Sequence, residues 1–386
     1  MGFTSLGWAR LDSRRFSGGM ALCLGLAGCG GRAGDPEEAV SFPPDAVPDA
    51  EGEPEDEAIP GLPEESPLSD SPLVPLGREW QVLATLQRDP HFLAADERFL
   101  YWVSPDVRRR DYFSRAIPLG GGEVVTLVSG RPSLRYLVPA GEYLYFEESG
   151  TGGRIARVPR TGGDDETIVR SDGAQGYALD DDSLYWTEMD TAIDSGRLYR
   201  TSLSERVTEL LAEGLIAPQR IALHGGFVYI ASERPSCTGE PGAPAGGCVG
   251  GGIQRVPRSG GTAEVLNAGA GASDLVVNDD GLYWFDSGGE QLMFAPLGGV
   301  GQPVAPVSRS DMGPFAFDAG ALYWASQTRV KQVAFGTHLS NDLGPEITLP
   351  TSVAVANGWL YVAERGRDRI ARTPTQPTSD PRWGLL

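Results

Sequence analysis

Acidic and basic side chains recur along the chain as Arg108, Arg109 and Arg110, Glu147 and Glu148, Glu188, Asp190 and Asp194, Asp286 and Glu290, Glu364 and Arg365. Gathered in one place, such groups could hydrogen-bond a glycan or a protein surface. The three consecutive arginines could grip an anionic glycan or carboxylate through paired N–H donors. Carboxylates could also act as acid and base on a sugar or lactone, with a divalent ion beside them. Nucleophilic chemistry has less to work with, since the chain carries no Gly-x-Ser-x-Gly elbow, no phosphate loop and no Cys/His arrangement. His91, His224 and His338 stand in unrelated places, and no pair has metal-ligand spacing. Asp180, Asp181 and Asp182, and the run Asn278-Asp279-Asp280-Gly281, lack calcium-loop spacing. They suit hairpin turns, where Asp, Asn and Gly are favoured for backbone reasons. On these grounds the sequence predicts no catalytic residue, no metal site and no cofactor.

The elements that must position these groups follow from an internal repeat. Tyr101, Tyr145, Tyr185, Tyr229, Tyr283, Tyr323 and Tyr361 each sit in a Leu-Tyr-Trp frame or a variant of it, 38 to 54 residues apart. A short apolar run precedes each Tyr, from Leu93-Ala94-Ala95 to Val353-Ala354-Val355, and its middle residue is always Ala or Val. Three large apolar residues in a row on a strand mean that both sheet faces are covered. A third run ends in Pro159, Pro257, Pro296 or Pro374, and weaker fourth runs fall at 124–128, 167–169, 207–211, 263–266, 304–307 and 347–349. Four short strands in about 40 residues make one blade of a β-propeller, so the expected fold is all-β with seven four-stranded blades. The last repeat holds three strands, and an unpaired run at 80–86 (WQVLATL) is placed to complete it and close the ring. Loops between second and third strands then share a rim with the segments that open the first strands. That rim gathers the charged groups above with the Cys237–Cys248 loop and with His91, Arg135, Gln175, Gln219, Ser273, Gly313 and Thr351. Rim loops held by a rigid ring are where binding concentrates. The acidic or Ser residue two places after each Trp position has a structural use as well, as a cap on its own loop.

The net charge of −20 is unevenly spread. Residues 30–77 hold 13 Asp or Glu against one Arg, with ten Pro, a composition that cannot bury a core and is expected to form an extended tether. Residues 78–376 form the propeller and 377–386 a tail. So acidic a chain is a poor nucleic-acid binder. Residues 1–29 read as an export signal, with Arg10, Arg14 and Arg15 ahead of an apolar stretch too short to span a bilayer. Its end, Leu26-Ala27-Gly28-Cys29, resembles the bacterial lipobox. That resemblance implies lipidation of Cys29, and with it a protein anchored to the outer membrane or cell surface. Cys237 and Cys248 flank a Gly/Pro-rich insertion, and in an exported chain such an isolated pair is most simply a disulfide.

Leu184-Tyr185-Trp186-Thr187-Glu188, followed by Gly196-Arg197-Leu198-Tyr199-Arg200, resembles the YWTD propeller repeats of the low-density lipoprotein receptor family. Tyr283-Trp284-Phe285-Asp286 repeats the pattern, and Tyr101-Trp102-Val103-Ser104 and Tyr323-Trp324-Ala325-Ser326 do so less closely. The resemblance covers 80–376 and implies a propeller. It carries no ligand, because the family has six blades and no binding residue matches one by one. Three functions fit the sequence: an envelope-tethered module that binds a protein or glycan through Arg108, Arg109, Arg110, Glu148, Glu188, Asp190, Asp286, Glu364 and Arg365; a lyase or hydrolase that uses rim carboxylates; and a structural part of an envelope assembly. The first is the leading expectation, with enzymatic activity the less favoured.

Overall fold

The computed structural model describes residues 74–76 and 80–375, except 107, 109, 191–194, 233–235, 238–247, 250–251, 269–270, 287–288 and 308–314. The signal, Cys29 and most of the tether therefore lie outside the described residues, as do Arg109, Asp194, Gly313 and the 377–386 tail.

Seven antiparallel sheets follow one another around a ring, which makes the fold a seven-bladed β-propeller. Blade 1 comprises His91–Ala95, Phe99–Asp106, Asp111–Pro118 and Val125–Arg131, from inner strand to outer. The second strands of the next five blades are Tyr143–Glu148, Ser183–Asp190, Phe227–Ser232, Leu282–Asp286 and Ala321–Ser326. Blade 7 takes Pro350–Ala356, Trp359–Glu364 and Arg369–Pro374 from one end of the repeat region and Trp80–Ala84 from the other. Gln81 pairs with Arg372 and Val82 with Ala371, so the ring closes as the unpaired run at 80–86 suggested. Val74–Leu76 adds a fifth strand beyond it, opposite Val82, Gln81 and Trp80.

In blades 1 and 6 the repeated Tyr has a definite task. Tyr101 donates its hydroxyl to Asp96 at 2.6 Å, and Tyr323 does the same to Asp318 at 3.1 Å. The other oxygen of each Asp accepts the turn N–H groups, 2.7 and 2.8 Å from Arg98 and Phe99, 2.8 and 2.9 Å from Gly320 and Ala321. Asp180 and Asn278 cap their turns in the same way. These acidic turns are hairpin clamps that hold a buried phenol by one end.

Hydrophobic clusters lie between blades rather than within them. One joins Tyr101, Val103 and Leu127 of blade 1 to Leu137, Leu144 and Phe146 of blade 2, and another joins Tyr361 and Ile370 of blade 7 to Leu100 and Trp102 of blade 1. Each Leu-Tyr-Trp frame therefore feeds two interfaces, one from each face of its strand. One strand differs from the sequence expectation: the fourth strand of blade 6 is Ser340–Leu343, not 347–349. Ile347 is apolar for another reason, being buried in the cluster between blades 6 and 7 while its N–H bonds the Thr328 carbonyl at 2.9 Å.

Candidate functional site on the rim and at the channel mouth

In five blades the residue two places after the Trp position bonds the chain segment arriving from the preceding blade. Ser104 donates to the Gln87 carbonyl at 2.7 Å, and Ser232 to the Ile216 carbonyl at 2.5 Å. Glu148 lies 2.6 Å from Arg154 in its own blade and 3.5 Å from Arg131 at the end of blade 1. Glu188 accepts from Ser171 at 2.9 Å and from Tyr199 at 3.2 Å, with Arg197 3.7 Å away. Glu364 is wholly buried, bonded to the Thr348 N–H at 2.8 Å and to Arg369. Asp286 lies against Gly289 of its own loop, where an added Cβ would stand 2.8 Å from Oδ2. Glu148, Glu188 and Glu364 thus turn back onto their loops and latch one blade to the next, while Asp286 lies against its own loop.

The other predicted groups are scattered along the rim. Arg108 and Arg110 belong to a tight turn closed by Asp106, whose carboxylate accepts the Arg108 N–H at 3.0 Å. Arg365 pairs with Asp89, and its guanidinium holds the Asp89 carboxyl below the usual carboxylate range. Blade 3 brings several together: Gln175, Glu188 and Asp190 line an open cavity of about 470 Å³ with Asp172, Ser195 and Arg197. Among the described residues no cluster of three His, Cys, Asp or Glu is placed to hold a metal. Cys237 lies directly opposite Cys248 in a two-stranded ribbon. Facing residues of an antiparallel pair are about 4.5–5.5 Å apart at Cα, within disulfide range. Purified protein without reductant should therefore show no free thiol at Cys237 or Cys248 on alkylation and mass measurement; labelling of both would remove the disulfide.

The channel mouth is built from a position that the sequence reasoning missed, one residue after His91, Arg135, Gln175, Gln219, Ser273 and Thr351. There stand Phe92, Tyr136, Gly176, Arg220, Asp274 and Ser352. First strands with described openings slip register here, between His91 and Ala94, Arg135 and Val138, Ser273 and Leu275, for example. Phe92, Tyr136 and Asp274 take left-handed backbone at φ of 52°, 54° and 47°. Such bulges re-aim a side chain, and strained non-glycine backbone concentrates where function does. Arg220 of blade 4 reaches over the Tyr136 ring of blade 2 at 3.7 Å, and its Nε lies 3.9 Å from Asp274 of blade 5. Blade 3 stands between, and its slot holds only Gly176, whose added Cβ would be 2.1 Å from the Gln219 carbonyl oxygen. The Phe92 and Tyr136 rings meet edge to face at 5.9 Å.

Beside them Glu147 is fully buried, with Oε1 2.7 Å from Arg135 Nη2 and no protein partner at Oε2. Burial pushes its carboxyl above the ordinary range, against the pull of Arg135 and Arg220. Burial also raises Asp274, opposed by Arg220 and by the Phe315 and Leu275 N–H groups. Tyr177, raised by burial and by Glu147, donates to the Tyr136 carbonyl. The arrangement gathers a guanidinium and aromatic faces at the mouth, with the Glu147 carboxylate fully buried beside them. What would have revealed it is the column nine residues before the repeated Tyr, whose residue types vary most where the adjoining apolar run varies least.

Fold and site together define a seven-bladed β-propeller with a polar rim and a charged, aromatic channel mouth. No family model matches the chain. No curated protein matches it either. Among solved structures it is similar to a streptogramin B lyase, at 13% identity and a TM-score of 0.55, over 75% of this chain and 95% of that one. An oligogalacturonate lyase from Vibrio parahaemolyticus gives the same TM-score at 9% identity, over 77% and 93%. A chain of a nidogen/laminin complex aligns at 17% identity with a TM-score of 0.42, over 61% of this chain and 89% of that one. At these identities the likeness is one of fold.

Proposed function

We propose that the protein is an exported, lipid-anchored binding module that presents blade 3's rim cavity to a glycan or protein of the bacterial envelope. The cavity is the observation that carries this reading, since its carboxylates, amide, hydroxyl and Arg197 guanidinium suit a hydroxyl-rich surface. Latching of Glu148, Glu188 and Glu364 supports it indirectly, because those carboxylates are engaged in holding the rim's shape. The lipobox-like Cys29 and the acidic segment at 30–77 would hold the module off the membrane. Exposed large apolar residues such as Val125, Leu210, Val265, Val300 and Leu339 are spread over five blades, which lends less support to a part buried in a larger assembly. A lyase is the second reading, because two chains of the same fold are named lyases and because Glu147 lies buried beside Arg135 at the mouth. Turnover of a sugar or lactone by the full chain would favour it.

The full chain, immobilised and exposed to envelope extract and a glycan panel, should retain a specific partner that an Asp190→Arg, Arg197→Glu chain loses. Equal retention by both chains would move binding away from this cavity, and retention by neither would remove the binding-module reading.

A further inference from the structure

On the face opposite the rim, where first strands turn into second strands, an arginine latches two of the junctions between blades. Arg160, which follows the third strand of blade 2, reaches Asp96 of blade 1 at 3.1 Å. Arg258, in the same place on blade 4, reaches Asp180 of blade 3 at 3.2 Å and lies over the Tyr185 ring at 5.8 Å. The corresponding residue of blade 3 is Leu203. Like the two arginines it stands three residues after the Arg that faces the repeated Tyr, and like theirs its N–H bonds a carbonyl in its own blade's turn. The position it would latch, five residues before Tyr145, is Ala140. The junction of blades 2 and 3 therefore has neither half of the latch. A cavity of about 390 Å³ opens there, lined by Ala140, Tyr143 and Leu203 together with Glu142, Asp181 and Asp182. Those three carboxylates are exposed and have no ion-pair partner among the described residues. Asp180 alone caps the turn, and Arg157, the cation in the cavity wall, is stacked on Tyr143 at 3.9 Å and paired with Glu166 at 2.8 Å. At the junction of blades 7 and 1 the latch positions are also apolar, Ala356 and Leu119, but there the larger Trp359 packs into the same cluster.

We propose that this cavity seats one arginine side chain of a basic protein partner, in the place that Arg160 and Arg258 take at the junctions on either side. The aliphatic stem lies along Ala140 and Leu203, and the guanidinium meets Glu142, Asp181 and Asp182. A lysine would bring the charge without the planar fork that pairs with carboxylates, and an acidic or neutral side chain would leave the three carboxylates unmet. The chain's net charge of −20 draws a basic partner toward it. The site does not depend on blade 3's rim cavity: it lies at the Ser183 end of the blade 3 second strand, whereas the rim cavity lies at the Asp190 end.

Saturation-transfer NMR of the full chain with N-acetyl-arginine methylamide and its citrulline counterpart tests the assignment. The arginine compound should bind saturably. Citrulline, of the same shape without the charge, should bind about tenfold more weakly or worse, the worth of one charge-assisted bond. An Asp181→Asn, Asp182→Asn chain keeps the Asp180 cap and should lose most of the binding. An Ala140→Asp, Leu203→Arg chain builds the latch on the pattern of Asp96 and Arg160, and should lose binding because its own arginine takes the place. Thermal unfolding no lower than that of the native chain excludes misfolding in both. The Asp190→Arg, Arg197→Glu chain should bind the arginine compound like the native protein, which separates this site from the rim cavity. Equal binding of citrulline, undiminished binding by either cavity variant, or no saturable binding of the arginine compound would each overturn the proposal.

Discussion

Glu364→Ala should cost about 3–5 kcal/mol of folding stability, the usual consequence of removing one partner of a buried ion pair. The carboxylate has no solvent exposure and serves three groups: the Thr348 N–H at 2.8 Å, Arg369, and Arg367 at 3.5 Å. Arg369 is itself buried, so alanine would leave a guanidinium facing an emptied, poorly solvated slot. The Thr348 N–H would lose its acceptor as well, and with it the latch between the end of blade 6 and blade 7. Denaturant unfolding measures the loss. A Glu364→Leu, Arg369→Met pair should recover much of it, because two apolar side chains leave no orphaned charge. A loss below about 1 kcal/mol, far under what a buried pair costs, would mean that Glu364 is free to serve a ligand.

That prediction bears on how much of the site the sequence could disclose. The propeller was legible because one residue type repeats at one place: Tyr101 and its six counterparts mark second strands, and in four turns Asp96, Asp180, Asn278 or Asp318 stands five residues before its Tyr. Ring closure was legible because Trp80 to Ala84 had no partner within its own repeat. Glu364 and Glu188 looked like rim ligands because a strand pattern shows which end of a blade a side chain occupies, not which neighbour it meets. Their partners Thr348 and Ser171 lie 16 and 17 residues earlier, in the crossing from the previous blade. The channel mouth was missed for a related reason. A slipped register turns Phe92, Tyr136 and Asp274 out of the two-residue alternation that strand reasoning assumes, and Arg220 meets its partners from blades far apart in sequence. Ile347 misled in the opposite direction, since an apolar residue in a loop under the sheet reads like a strand residue.

Trp80→Ala should be about as damaging, at roughly 3–5 kcal/mol for a buried Trp, and its effect should extend beyond the cavity it leaves. Trp80 is 2% exposed, packs with Val353, Val362, Ile347 and Ala371, and donates from Nε1 to the Pro345 carbonyl at 3.3 Å. Gly344 lies so close that an added Cβ would come within 2.8 Å of the indole nitrogen. Every other blade draws its four strands from one stretch of the chain, whereas the Trp80 strand pairs with one nearly 300 residues later, at Ala371 and Arg372. Its docking therefore closes the longest loop among the described residues. Weakening it should let the Arg369–Pro374 strand expose an unpaired edge, which is a template for association. Hydrogen exchange followed by mass spectrometry should show faster exchange in 80–84 and 369–374 than in the blade 3 strands, with concentration-dependent aggregation on warming. Uniform acceleration across all seven blades would instead mean that the ring opens as one cooperative unit, with no weakest seam at the closure.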